Sequence, residues 1–145
     1  MELHTTAPVT VLRRSHRLSL DAVGTQAAQA YADLHAEAQA RGLTVNGPPI
    51  FATRGLPQEA HTPFDLDFCL PVSGTDLSML PALRCARRVY EGPLCDLFRH
   101  GYQPLLHAMA EAGLRASGDS REVYHVWHGP DAPNNRIEIQ IGIVE

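Results

Sequence analysis

Residues 66–72 read LDFCLPV and residues 137–143 read IEIQIGI. Apolar side chains take every second position: Leu66, Phe68, Leu70 and Val72, then Ile137, Ile139, Ile141 and Ile143. Side chains alternate across a strand. Each stretch is therefore a strand with one face bound for a core, the other face carrying Asp67 or Glu138. The two stretches stand 71 positions apart. The same offset relates Leu12-Arg13 to Leu83-Arg84, Arg17 to Arg88, Tyr31 to Tyr102, Leu34 to Leu105, Gly42-Leu43 to Gly113-Leu114 and Gly47 to Gly118. One register along the whole chain predicts an internal repeat without gaps.

Each half reads as strand, helix, strand, strand. The first half predicts a strand over 9–20 and a helix over 22–41 with Asp21 as its N-cap. Val23, Ala27, Ala30, Tyr31, Leu34 and Ala38 form its apolar stripe, and Gly42 ends it at positive φ. A short strand over 49–54, a loop rich in Gly, Pro and His over 55–63, and the strand over 64–72 follow. The second half predicts a strand over 80–90, with Pro93 in a first helical turn. Its stripe is Leu94, Leu97, Phe98, Tyr102, Leu105 and Met109, with a kink near Gly101 imposed by Pro104. Strands over 122–127 and 136–144 complete it, around a loop over 129–135. The expected architecture is α+β: one domain over residues 1–145, with pseudo-repeats near 9–73 and 80–144. Its antiparallel sheet carries two main helices on one face and has a central groove.

Composition narrows the function. Of 145 residues, 44% are hydrophobic and 19% charged, as in globular proteins. The net charge of −4 offers nothing to nucleic-acid phosphates. The arginine pairs Arg13-Arg14 and Arg87-Arg88 read as solvated strand edges. No apolar run approaches the ~20 residues that span a bilayer, and the N-terminus lacks a signal core, so a cytoplasmic protein is expected. Cys69, Cys85 and Cys95 are odd in number, show no CxxC spacing and read as buried or idle thiols. Eight histidines do not assemble a ligand set: His125 and His128 alternate to opposite faces, and His100 and His107 lack a third partner. No metal or other cofactor is expected, and no GxSxG, Walker-type or GxGxxG motif is present.

Several segments resemble a known family. Gly47-Pro48-Pro49, residues 64–72 (FDLDFCLPV), Gly92-Pro93, Gly113-Leu114, Glu122-Val123-Tyr124 and Ile137-Glu138-Ile139 occur in the order found in GyrI-like effector-binding domains. The resemblance spans nearly the whole chain from Val9 onward. It implies a binder of small organic molecules, often lipophilic and cationic. Only about eight residues precede the first expected strand, so a stand-alone binder without a DNA-binding domain is expected. Leu94 and Tyr90 depart from the family, which often has Tyr and His there.

The ligand-binding candidates are Glu138, Tyr124, Glu122, Asp67, Trp127 and Phe51. A carboxylate in a partly desolvated groove attracts a cation, and aromatic rings add cation–π attraction of about 0.5–2 kcal/mol. Glu122 and Tyr124 share a strand face, and Phe51 and Thr53 are their counterparts in the first half. Trp127 falls on the opposite parity from Tyr124 unless a bulge intervenes. Two other classes stay open. The first, whose substrate class the resemblance implies, is a hydrolase of electrophilic, cyclopropane-bearing toxins, with Glu138 or Glu122 as general base and Tyr124 as orienting group or proton donor. The second is a module that binds a protein partner. No membrane contact and no direct nucleic-acid contact are expected.

Overall fold

The computed structural model describes residues 1–55 and 61–144, so residues 56–60 of the expected 55–63 loop lie outside the described residues. The elements are β1 (Glu2–Thr5), β2 (Val9–Leu18), α1 (Val23–Ala40), β3 (Thr44–Val45), β4 (Ile50–Arg54) and β5 (Phe64–Ser73). They continue with β6 (Ser78–Leu80), β7 (Arg84–Glu91), α2 (Gln103–Glu111), β8 (Arg115–Val126) and β9 (Arg136–Val144). Two compact units result, one of residues 8–81 and one of residues 1–7 with 82–145. Both combine helix with antiparallel sheet, as the α+β reading expects.

In the unit of residues 8–81, β5 pairs with β2 on one side and β4 on the other, β6 pairs with β2, and β3 pairs with the end of β5. Leu66, Phe68, Leu70 and Val72 of β5 pack under Ala30, Leu34 and Ala38 of α1. In the other unit the strand order is β1-β7-β9-β8. Ile137, Ile139 and Ile141 of β9 pack with Tyr102, Leu105 and Met109. Ile139 is fully buried, and burial of such a side chain contributes about 1.5–3 kcal/mol. Both helices end alike. Gly42 and Gly113 take φ of 67° and 72°, the Leu43 amide donates to the Ala38 carbonyl, and the Leu114 amide donates to the Met109 carbonyl.

Several expectations are corrected. The constant offset fails in the first strand. Phe68 faces Arg14 across β2, whereas Ile139 faces Arg88 across β7, so these first strands correspond at 74. The pairs Phe51–Phe68 and Glu122–Ile139 keep the offset of 71. The three residues are absorbed ahead of Tyr102, where the second half has the shorter helical run. The strand expected over 80–90 is two strands: Leu80 pairs with Val9, and β7 begins at Arg84. Pro81 supplies no amide to continue the ladder. β1 was not anticipated; it is short, largely exposed, and held by pairing with β7. β8 starts at Arg115, seven residues before the expected strand.

Asp21 does not cap α1; it sits in a single 3-10 turn (Leu20–Ala22) and accepts from the Ser19 hydroxyl. Pro93 precedes rather than enters the corresponding turn, Leu94–Asp96. The arginine pairs are not simply solvated. Arg13 pairs with Asp67 at 2.9 Å, Arg14 with Glu37 at 2.6 Å, and Arg87 with Glu2 at 2.5 Å. The break near Gly101 is a turn of π-helix (Phe98–Tyr102) running into α2.

Candidate functional site

Glu122 lies on β8 opposite Ile139 of β9, so its side chain projects to the face covered by the helix. There it accepts two hydrogen bonds. The Tyr124 hydroxyl donates to Oε1 at 2.7 Å, and the Tyr102 hydroxyl donates to Oε2. Burial pushes the Glu122 carboxyl above its ordinary range, and the two hydroxyls only partly offset that. Burial, with the adjacent Glu122, also pushes the Tyr102 phenol well above its ordinary value. The result is a carboxyl in a low-dielectric setting whose partners are neutral.

Around it stand two aromatic pairs. Tyr102 stacks on Phe98 with centroids 6.3 Å apart and planes at 24°. Tyr124 packs edge-on to Trp127 with centroids 5.6 Å apart. In each pair the inner ring reaches Glu122 and the outer ring is open to solvent: Phe98 is 60% exposed and Trp127 45%. The parity of Trp127 is settled by a bulge. Tyr124 faces Ile137 and Val126 faces Arg136, so two steps on β8 span one on β9. That extra residue returns Trp127 to the side of Tyr124.

The first half holds the counterpart of this arrangement with the chemistry removed. Tyr31 stands at the position of Tyr102, but its hydroxyl donates to the Cys69 carbonyl at 3.0 Å and the Ile50 carbonyl at 3.3 Å. Phe51 stands at the position of Glu122, stacked on Tyr31 at 5.8 Å and edge-on to Phe68 at 5.1 Å. Phe51 therefore packs against the core of its own unit, where the second half places a carboxyl.

The other two acids face away from the helices. Glu138 is opposite Val123 and Val89, on the face of β9 turned from Ile137 and Ile139. It is buried and already occupied. His125 lies 3.0 Å from Oε1, Gln140 donates to Oε2 at 2.6 Å, and Arg87 stands 3.7 Å away. Burial would raise its carboxyl, but these partners outweigh burial and hold it below its ordinary range. Asp67 is likewise paired with Arg13. Within its unit the structure thus brings Glu122, Tyr124 and Trp127 together and turns Glu138 to the other face of the sheet; in the unit of residues 8–81, Asp67 pairs with Arg13 and Phe51 packs against the core.

Two participants escaped the reading of the sequence, which placed Tyr102 and Phe98 in the helix stripe. The signal for Tyr102 was its alignment with Tyr31 at the offset that sets Glu122 against Phe51. A third residue, Asn135, anchors the loop behind Trp127. It is fully buried; its Oδ1 accepts from the His128 amide at 2.7 Å, and its Nδ2 donates to the carbonyls of Gly129 at 2.7 Å and Ala132 at 3.3 Å. The backbone of the Gly92–Leu94 segment docks on the same loop through the carbonyls of Asn135 and Pro130. Among the described residues no group of three or more His, Cys, Asp or Glu is placed to hold a metal ion, and no helix is long and apolar enough to cross a membrane.

No protein-family model matches the chain, and neither does any curated protein. Solved structures do. The C-terminal domain of EcmrR superposes with a TM-score of 0.77 at 17% identity, covering 99% of this chain and 96% of that domain. In the EcmrR–DNA complex the chain spans 57% of the longer EcmrR chain, with a TM-score of 0.78 at 17% identity. SAV2435, solved bound to tetraphenylphosphonium, gives 0.58 at 9% identity, covering 99% of this chain and 94% of that one. At these identities the likeness establishes the fold.

Proposed function

We propose that the chain is a GyrI-like effector-binding domain built of two pseudo-repeats, and that it binds a small lipophilic organic molecule, commonly a cation, at the Glu122 cluster. The observation that carries this reading is the company of Glu122. Among the three candidate acids, Asp67 and Glu138 are each neutralised by an arginine, whereas Glu122 is held by two tyrosine hydroxyls. A half-buried carboxylate whose hydrogen-bond partners carry no positive charge favours an incoming organic cation, and the rings beside it add cation–π attraction. The complex of SAV2435 with tetraphenylphosphonium, on the same fold, supports the ligand class.

The test is a titration with tetraphenylphosphonium, read by calorimetry and by the fluorescence of Trp127, the chain's single tryptophan. Glu122→Gln should weaken binding on the order of tenfold or more, equivalent to about 1.4 kcal/mol. Equal affinity in wild type and Glu122→Gln sinks the assigned site. A second reading draws on the raised proton affinity of Glu122 beside the Tyr124 hydroxyl, a pairing suited to general acid–base work on an electrophilic ligand. Release of a ring-opened product from a cyclopropane-bearing compound, lost in Glu122→Gln, would favour turnover over reversible binding.

A further inference from the structure

We propose that Phe98 is a specificity-determining residue of this site, selecting aryl-bearing cations over alkyl cations of the same charge. This rests on the reading of Glu122 as the ligand's acid and adds the residue that chooses among ligands. The spacing of the buried residues Leu97, Tyr102, Leu105 and Met109 runs five, three, four. A five-residue step does not fit 3.6 residues per turn, but it fits the wider π-turn, in which the Gln103 amide reaches the Phe98 carbonyl. Pro104 brings no amide to a tighter ladder. Gly101 allows the turn to sit hard on the sheet: a Cβ there would lie 2.7 Å from Ile139 Cδ1.

The consequence is a division of labour within one turn. Tyr102 goes inward to Glu122, while Phe98 stays outside, stacked on the Tyr102 ring and 60% exposed. Four residues before Tyr31, the first half carries Ala27, which packs against the core of its unit. In the second half the π-turn gives the inward position to Leu97, five residues before Tyr102, and leaves Phe98 outside with an outer surface that has no core to meet. An exposed aromatic ring is commonplace by itself. One ring removed from an uncompensated carboxyl, it offers a flat surface for a ligand's aryl group. A stacked aromatic pair contributes about 0.5–1.5 kcal/mol beyond burial, and an alkyl chain lacks that share.

The experiment compares tetraphenylphosphonium with tetrabutylphosphonium on the full chain as wild type, Phe98→Leu, Phe98→Ala and Glu122→Gln. Both Phe98 variants should lose on the order of five- to tenfold for the tetraphenyl probe and change less than about twofold for the tetrabutyl probe. Phe98→Leu keeps apolar bulk, so its fold is secure and its melting temperature should match wild type. Glu122→Gln should weaken both probes. If Phe98→Leu and Phe98→Ala shift both probes equally, or neither, the role of Phe98 is overturned, while weakening of both by Glu122→Gln leaves the acid's role standing. If wild type binds neither probe, both readings fall together.

Discussion

Glu122 and Glu138 sit on neighbouring strands, and their surroundings pull their proton affinities in opposite directions. Glu122 is raised above the ordinary 4.5 by burial. The folded state therefore holds its proton more tightly than the unfolded chain does. Stability tied to that proton is fully present below the ordinary value and is lost as pH rises through the folded value. Glu122→Gln keeps an acceptor for the tyrosines without the charge. Its melting temperature should exceed that of wild type at neutral pH, with the difference vanishing in acid; a lower melting temperature at neutral pH would contradict the account. Glu138 is held down by Gln140, His125 and Arg87 against its burial. Its contribution is present above the ordinary value and lost as pH falls through the folded value, so Glu138→Gln should flatten the acid side of the stability profile. Ligand binding follows from the same signs. A cation prefers ionised Glu122, so affinity for tetraphenylphosphonium should rise with pH through the titration of that group and lose this dependence in Glu122→Gln.

At the scale of elements, the site depends on two irregular segments. The loop between β8 and β9 is tied by the buried Asn135, whose replacement by Ala removes the side-chain partner of the His128 amide and of the Gly129 and Ala132 carbonyls. Asn135→Ala should cost about 2–3 kcal/mol, seen in denaturant unfolding, and should weaken ligand through Trp127. The π-turn ahead of α2 is the second. Gly101→Ala puts a methyl group against Ile139, Leu97 and Tyr90, an overpacking worth about 1–3 kcal/mol. Unchanged stability in that variant would mean the turn can lift away from the sheet.

At the scale of the molecule, two units of related plan carry different residues at one pair of corresponding strand positions, Phe51 and Glu122. Phe51 completes the packing of its unit, where the other unit holds a carboxyl. Phe51→Ala should therefore lower stability by about 2–4 kcal/mol, whereas Glu122→Gln should weaken tetraphenylphosphonium without lowering stability at neutral pH. A loss of affinity in Phe51→Ala with the fold intact would return Phe51 to the ligand site.

The alternation of Leu66 to Val72 and of Ile137 to Ile143 was enough to define the central strands, because burial on one face imposes a period of two. Gly42 and Gly113 marked the helix ends, because few other residues take positive φ. Glu122 and Tyr124 were legible as candidates from residue type, shared parity and the resemblance, whereas Trp127 fell on the wrong parity until the bulge returned it to the side of Tyr124. Three things were decided only by the tertiary structure. Pairing set the first strands three residues off the common offset, since register is chosen across strands and leaves no trace along one of them. The partner each acid meets, and whether an arginine reaches it, depended on side chains far away in sequence: Arg13 for Asp67, Arg87 for Glu138, Tyr102 for Glu122. The bulge after Tyr124 and the π-turn before Gln103 came from fitting an irregular backbone to the sheet. Proton affinity and charge compensation are properties of surroundings, so Glu122, the residue proposed as the ligand's acid, stood out from Glu138 and Asp67 only when the chain was folded.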